Sequence, residues 1–487
     1  MGCGSSKPSA DSPSLIAKQK RSTVSVGDHV QTVNGNGIYH GLSDDSIACD
    51  NEVRRAMDGS NRLCDTDITL EWLVQTLEVA LNETASTPSY IAERIGKGYG
   101  FMSDVLRVTF SWESETFPST VVLKITSIAK AVERAAELAG VEELSEDDRI
   151  STERLIAANH RRECVTYEWL AKQDINIPIP LIYFTRPHTE NEVGVVVMED
   201  FHDRGDHPDY VQGLTLKQLE RILTALAAVH AKSLQNDDWQ SLLATMTKAR
   251  FETAAERFDQ TKEYLNAQLP DGFKGINRAK RFFATDFLYD TVIESCSQLE
   301  LPLVLVHGEI WAGNFIFDEK DQNTLLAVID WQDAHPGCIA EDITELLVMN
   351  ATAEMRRTNA EALLDFYHAK LEEYYGEGCP ISVWKVKQAY QKLLPVAMVS
   401  FLLLLPTVSV NEALVGAPKD RSVKQKMLFD RGQAILEDTL STLPPDDPIP
   451  ASESTFVPAQ TFEQPVTLTT PSADDEGKSI VLAKSDF

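Results

Sequence analysis

The sequence predicts an α+β fold in two unequal lobes: an N-terminal antiparallel sheet lobe over residues 63–200, and a larger, mostly helical C-terminal lobe over 201–442. Three observations carry that expectation. Short apolar runs broken by glycine and proline turns fill the first stretch, helical spacing of leucines takes over beyond Gly213, and polar segments of low complexity flank both at 1–62 and 443–487.

In chain order, residues 1–62 are rich in Ser, Gly, Asn and Asp with no sustained period and are expected to be a disordered tether. The first helix is expected in DTDITLEWLVQTLEVAL, where Leu70, Leu73, Leu77 and Leu81 share a face behind start signals at Asp67 and Thr69. IAERIGKGYGFMSDVLRVTFSW reads as strand, glycine turn and strand, and TVVLKIT from Thr120 to Thr126 as another strand. The acidic stretch from Ile128 to Arg149 reads as an inserted helix and loop, and Glu153 to Leu170 as a helix. The Pro-rich IPIPLIYF precedes a strand-like VGVVVMEDF, which ends in a hinge. Thr215 and Gln218 then form a capping box ahead of an apolar stripe of Leu216, Leu219, Leu223, Leu226 and Val229, and the pattern stays helical from there. LLPVAMVSFLLLL, bracketed by Pro395 and Pro406, is shorter than the roughly 20 residues of a membrane span and is expected to be a buried core helix. Pro, Ser, Thr and acidic residues from Leu443 onward predict a disordered acidic tail.

Composition narrows the partners. The chain has 487 residues, and 45 Lys+Arg against 74 Asp+Glu give a formal charge of -29, which repels nucleic acid phosphates; nucleic acid is excluded as an expected partner. Seven cysteines with no C-x-x-C pair read as reduced thiols in a cytoplasmic setting, and no secretory signal is expected.

The chemistry concentrates in VLVHGEIWAGNFIFDEKDQNTLLAVIDWQD, from Val304 to Asp333. A His-Gly-carboxylate turn at His307–Glu309, an Asn five residues later at Asn314, and an acid after the next apolar run at Asp330 have the spacing of groups that hold metal-ATP for phosphoryl transfer. Glu309 then takes the acceptor proton, and Asn314 and Asp330 ligate Mg²⁺. Upstream, Gly96, Gly98 and Gly100 form a turn able to lay backbone N–H groups over phosphates, or simply to close a hairpin. Ser103 adds a hydroxyl to the phosphates or serves the turn. Lys124 is a lone ammonium in an apolar strand, and Glu163 in HRREC is available to pair with it; the plain alternative is a lysine snorkelling from an edge strand. Adenine recognition falls at the connection from Val197 to Asp200, where Met198 and Glu199 offer backbone groups, and the Glu199 and Asp200 side chains either cap the next segment or reach ribose. His230 and His335 read as structural histidines. Asp342 caps a helix or braces the catalytic loop.

With these pieces in view, the chain resembles the CHK family of choline-kinase-like and ecdysteroid-kinase-like small-molecule kinases, in its nematode-type branch. The matching stretches are GKGYGFMSDVLRV, VVLKI, HRRECVTYEWL, VVVMEDF, LVHGEIWAGNFIF, VIDWQ and AEDITELL, within residues 65 to 440. The resemblance implies a two-lobed protein-kinase-like fold shared with aminoglycoside phosphotransferases. It also implies ATP and Mg²⁺ as cofactors and the hydroxyl of a small-molecule alcohol as phosphate acceptor. Members of that family read HGD where this chain reads HGE. One added methylene displaces the carboxylate by about one bond length. Misplacement of ~1 Å costs about a hundredfold in rate, whereas base catalysis supplies ~10²–10⁴-fold. A slowed enzyme is therefore expected, and its rival is a membrane-tethered pseudokinase that binds nucleotide without turnover.

The opening MGCGSSK fits M-G-x-x-x-[ST], which predicts myristoylation of Gly2, with Cys3 beside it for palmitoylation. One myristoyl chain holds a membrane only marginally, so Cys3 acylation or the nearby Lys7, Lys18, Lys20 and Arg21 would supply the second signal. The expected location is cytoplasmic, peripheral on the cytoplasmic face of a membrane.

Overall fold

In the computed structural model, residues 62–96, 103–139 and 141–444 are described. Gly2, Cys3, Gly98 and Gly100 lie outside them.

Helix α1 (Leu70–Leu81) starts where the Thr69 hydroxyl accepts the Trp72 N–H, and it ends at Asn82 in the left-handed conformation. It covers one face of a five-stranded antiparallel sheet built from β1 (Ser89–Arg94), β2 (Ser103–Ser111), β3 (Thr120–Thr126), β4 (Ile182–Arg186) and β5 (Val195–Glu199) in the order β1-β2-β3-β5-β4. Strand alternation decides what faces where. Val121, Leu123 and Ile125 of β3 join Leu73 and Leu77 in a small core, which leaves Val122 and Lys124 on the opposite face. β3 lies in the middle of the sheet, so Lys124 is not an edge lysine. β5 is buried on both faces: Val195 and Val197 enter the small core, and Val196 and Met198 the large one.

Between β3 and β4 run α2 (Ile128–Ala139) and α3 (Glu146–Leu170). α3 begins seven residues before the expected Glu153. The reason is local: the Ser145 hydroxyl accepts the Asp148 N–H, and Glu146, Asp147 and Asp148 put negative charge on the helix's positive end.

The C-terminal lobe is not helical throughout, as the sequence had suggested. It contains β6 (Gly205–Asp206), β7 (Val304–Val306), β8 (Phe315–Asp318), β9 (Leu325–Val328) and β10 (His335–Gly337), paired as β6-β8-β9 and β7-β10. Strands of two to four residues are too short to show a period in sequence. Around them stand α4 (Leu216–Gln235), α5 (Glu252–Gln268), α6 (Ile276–Ala279), α7 (Thr285–Gln298), α8 (Ala340–Asn350), α9 (Ala353–Tyr375), α10 (Val383–Val408), α11 (Glu412–Val415) and α12 (Pro418–Ser441). The Thr215–Gln218 capping box opens α4 as expected. α10 packs against α5, α7, α8, α9 and α12, and its 26 residues contain both Pro395 and Pro406. The prolines therefore do not bound this helix. Its length and composition would let it cross a membrane, yet Leu393, Phe401, Leu402 and Leu405 are buried in the large core.

Candidate functional site

The loop from His307 to Asn314 is fixed from three directions. β7 pairs with β10 in the register His335↔Val306, which delivers His307 and Gly308 beside the segment ending in Asp333. Gly308 has φ +83°, and a Cβ there would stand 2.6 Å from the Asp333 carbonyl oxygen and 3.0 Å from the His335 ring, so only glycine fits. From α8, the buried Asp342 carboxylate accepts the His307 N–H at 2.8 Å and the Gly308 N–H at 2.9 Å. Asp342 therefore braces the loop and does not cap its helix. Burial alone would raise its pKa, but His230, His307 and the Gly308 N–H offset that and hold it below the usual carboxylate range. Behind Asp342, His230 lies 3.6 Å away and shares a 2.6 Å hydrogen bond with the Tyr367 hydroxyl. His335 bonds the Asp333 carbonyl and Glu341, so both histidines have structural partners.

The His307 ring joins the two halves of the site. Its Nδ1 accepts the Glu309 N–H at 3.2 Å, and its Nε2 faces the Ile329 carbonyl at 3.0 Å; the neutral Nε2–H tautomer satisfies both. Burial lowers the ring's pKa, in keeping with that neutral form. Asn314 donates from Nδ2 to the Glu309 carbonyl at 2.9 Å, and its own carbonyl accepts the Ile329 N–H at 3.0 Å. The chain then enters Asp330 at φ +65°, a left-handed residue costing about 1 kcal/mol, with its N–H donating to the Tyr167 hydroxyl at 3.1 Å.

Lys124 is where the lobes meet. Its ammonium lies 2.9 Å from Glu163, which is fully buried on α3, and 2.6 Å from Asp330. Burial alone would lower the pKa of this lysine, but the two carboxylates more than offset it and hold the ammonium charged. Glu163 is pushed up to about 7 by burial, with Asp330 adding to the rise and Lys124 opposing it. One cation thus serves two acids. Glu309 is half-buried, and burial followed by repulsion from Asp330 and Asp333 raises its pKa well above the ordinary glutamate value; a 3.4 Å contact from Gln332 opposes the rise only in part.

These groups line one cavity of about 1150 Å³ between the lobes, together with Gly96, Ser103, Met198 and Glu199. Gly96 has φ +74° and Ser103 opens β2. The Glu199 carboxylate accepts the Leu181 N–H at 3.1 Å and pairs with Arg204, so it caps no helix; Asp200 is held by Arg107 at 2.6 Å. Val105, Val122, Met198, Ile316 and Ile329 give the cavity apolar walls from both lobes, suited to a flat base.

Several of these residues carried no assignment from the sequence. Val122 was findable from strand period, two residues before Lys124, and Tyr167 from helix period, four after Glu163. The clamp on Asp333, with Arg250 donating at 2.6 and 3.2 Å and Arg162 forming an ion pair at 3.8 Å, had no local signal.

Among the described residues no three His, Cys, Asp or Glu side chains converge on a metal position. Asp330 and Asn314 nevertheless suit Mg²⁺: the Asn314 amide N–H₂ is committed to the Glu309 carbonyl, which orients its side-chain oxygen as the donor. Mg²⁺ needs only one or two protein oxygens when phosphates and waters complete its shell.

A sequence profile of the family DUF1679, described as "Uncharacterized oxidoreductase dhs-27", matches residues 57–443. The chain belongs to this family. Among DUF1679 relatives, the Caenorhabditis elegans protein "Uncharacterized oxidoreductase dhs-27" is 23% identical over 376 residues, covering 74% of this chain and 44% of that protein. The chain thus spans less than half the length of that relative. The C. elegans "Uncharacterized kinase-like protein D1044.1" is 21% identical over 324 residues, covering 66% of this chain and 83% of the relative. The nematode kinase-like resemblance seen in the sequence agrees with the second of these matches. A solved spectinomycin phosphotransferase in complex with ADP and spectinomycin aligns with a TM-score of 0.37 at 14% identity, covering 78% of this chain and 100% of that one. The two-lobed architecture rests on the elements above.

Asp342→Ala leaves two buried N–H groups without their acceptor, at about 1–3 kcal/mol each. A drop of that size in unfolding free energy is expected in urea titration, with nucleotide affinity falling alongside it; unchanged stability would contradict the bracing role.

Proposed function

We propose that this protein is an ATP-dependent phosphotransferase that phosphorylates a hydroxyl group of a small molecule. The observation that carries this reading is the Lys124 ammonium held between Glu163 and Asp330, with Asn314 and Glu309 joined by a hydrogen bond in the same cavity.

Phosphoryl transfer asks a protein mainly for positioning and for charge near the phosphates. Lys124 binds phosphate oxygens, and Glu163 keeps its ammonium aimed into the cleft. Asp330 and Asn314 hold Mg²⁺, which when bound supplies charge neutralisation at the phosphates. Glu309 accepts the proton of the acceptor hydroxyl as that oxygen attacks phosphorus. The cavity is large enough for a nucleotide and a compact alcohol together.

Every strand pair among the described residues is antiparallel, so they do not form the switch-point crevice in which a doubly wound parallel sheet binds a dinucleotide.

A second reading has a specific observation behind it. The extra methylene displaces the Glu309 carboxylate, and its raised pKa leaves less of it ionised at a given pH, which together favour a pseudokinase that binds nucleotide and turns over little. Turnover of γ-labelled ATP with metabolite extracts separates the two. A base must be unprotonated to act, so kcat/KM is expected to rise with pH along a limb well above the ordinary glutamate value of about 4.3. Glu309→Gln should remove the limb and lower kcat by ~10²–10⁴-fold, and Glu309→Asp should restore or exceed the starting rate. No labelled product from any variant would leave the pseudokinase reading.

For the amino terminus, we propose myristoylation at Gly2 with palmitoylation at Cys3, holding the protein at the cytoplasmic face of a membrane. Incorporation of labelled myristate that Gly2→Ala abolishes is expected; no incorporation would end this proposal.

A further inference from the structure

The cavity is lined by five cationic side chains, and four of them face carboxylates: Arg107 on Asp200, Lys124 on Glu163 and Asp330, and Arg162 and Arg250 on Asp333. The fifth, Lys424 of α12, has no acid among the described residues. Lys424 is half-buried as a residue, and its ammonium donates to the Leu414 carbonyl at 3.2 Å, over the short helix α11. In a chain with 74 acids against 45 bases, an acid-free lysine beside a cavity runs against the composition. Removing an ammonium from water without a counter-charge is unfavourable unless a ligand supplies one.

Its position relative to the chemistry follows from α12. Arg431, seven residues further along, donates to the carbonyls of Tyr210 at 3.2 Å and Val211 at 3.0 Å. Tyr210 stands edge-on to Trp311 at 5.9 Å, and Trp311 is two residues beyond Glu309. Positions seven apart share a helix face and are separated by about 10 Å. Lys424 thus lines the same cavity as Glu309, about 10 Å along α12 from the arginine that holds the Tyr210 segment. Met246 and Leu414 also line this cavity and are apolar.

We propose that the acceptor is an alcohol with an apolar body and an anionic group remote from its hydroxyl, the anion being read by Lys424. This deepens the phosphotransferase reading and rests on it for the word acceptor, but the binding preference is measurable without turnover. A competing role exists for Lys424, since a cation near the C-terminal carbonyls of α11 stabilises that turn; the test must separate the two.

The experiment is calorimetric titration of the full-length protein, without nucleotide, with ω-hydroxyalkanoates from hexanoate to dodecanoate and with the α,ω-diols of matching length. At the best length the hydroxyalkanoate is expected to bind about tenfold tighter than its diol, the scale of one charge-assisted hydrogen bond. Lys424→Gln should erase that preference by weakening the carboxylate alone, and Lys424→Arg should keep it. If Lys424 only secures α11, Lys424→Gln will weaken carboxylate and diol equally, which overturns the proposal. So does the absence of any carboxylate preference at every length, including no binding of either series, and so does a preference that survives Lys424→Gln. Mg-ATP titrated into the same samples tells the two readings apart: its failure to bind strikes the phosphotransferase and leaves the anion preference standing.

Discussion

A single ammonium shared by two carboxylates from opposite lobes is the interaction on which the rest depends. Lys124 is bound to Glu163 from its own lobe and to Asp330 from the other. Both acids are partly or fully withdrawn from water, and Glu163, the fully buried one, relies on the lysine to oppose the cost of its burial. Glu163 shows the tension, with its pKa pushed up to about 7 despite the adjacent cation. The cluster is electrostatically short of positive charge. Under the proposed function, a divalent cation held by Asp330 and Asn314 would supply the missing positive charge.

The scaffolding serves this arrangement by fixing backbone. Asp342 holds two consecutive N–H groups of the His307 turn, the His307 ring ties Glu309 to Ile329, and Tyr167 holds the left-handed Asp330 N–H. A strained residue persists only where its surroundings over-determine it. Asp330 has bonds on its N–H and its carboxylate, and the following Asp333 is gripped by two arginines. Asp330 is thus positioned from both sides, while among the described residues the Glu309 carboxylate has one long hydrogen bond, from Gln332. Positioning is thus stronger around Asp330 than around the Glu309 carboxylate.

Legibility in the sequence followed contact distance along the chain. Lys124 stood out because a charge interrupts an apolar strand, and Glu309, Asn314 and Asp330 because their spacing is confined to one short stretch. The α1 leucines and the Thr215 capping box were visible for the same reason, being local. Contacts such as Arg250 with Asp333 and Tyr167 with Asp330 join residues 83 and 163 positions apart, and no local pattern encodes them. The short strands β6 to β10 escaped because two to four residues carry no period, and the early start of α3 because a run of acids reads as loop until a serine cap and a helix dipole are considered together.

The central claim is a Mg-nucleotide site built on Lys124, Asn314 and Asp330, and calorimetric titration of ATP with and without Mg²⁺ tests it most directly. The account predicts saturable binding by the unaltered protein that requires Mg²⁺, and loss of the Mg²⁺ dependence in Asp330→Ala while the fold is retained. Binding of equal strength in chelator, or the same Mg²⁺-dependent affinity in Asp330→Ala, would contradict it.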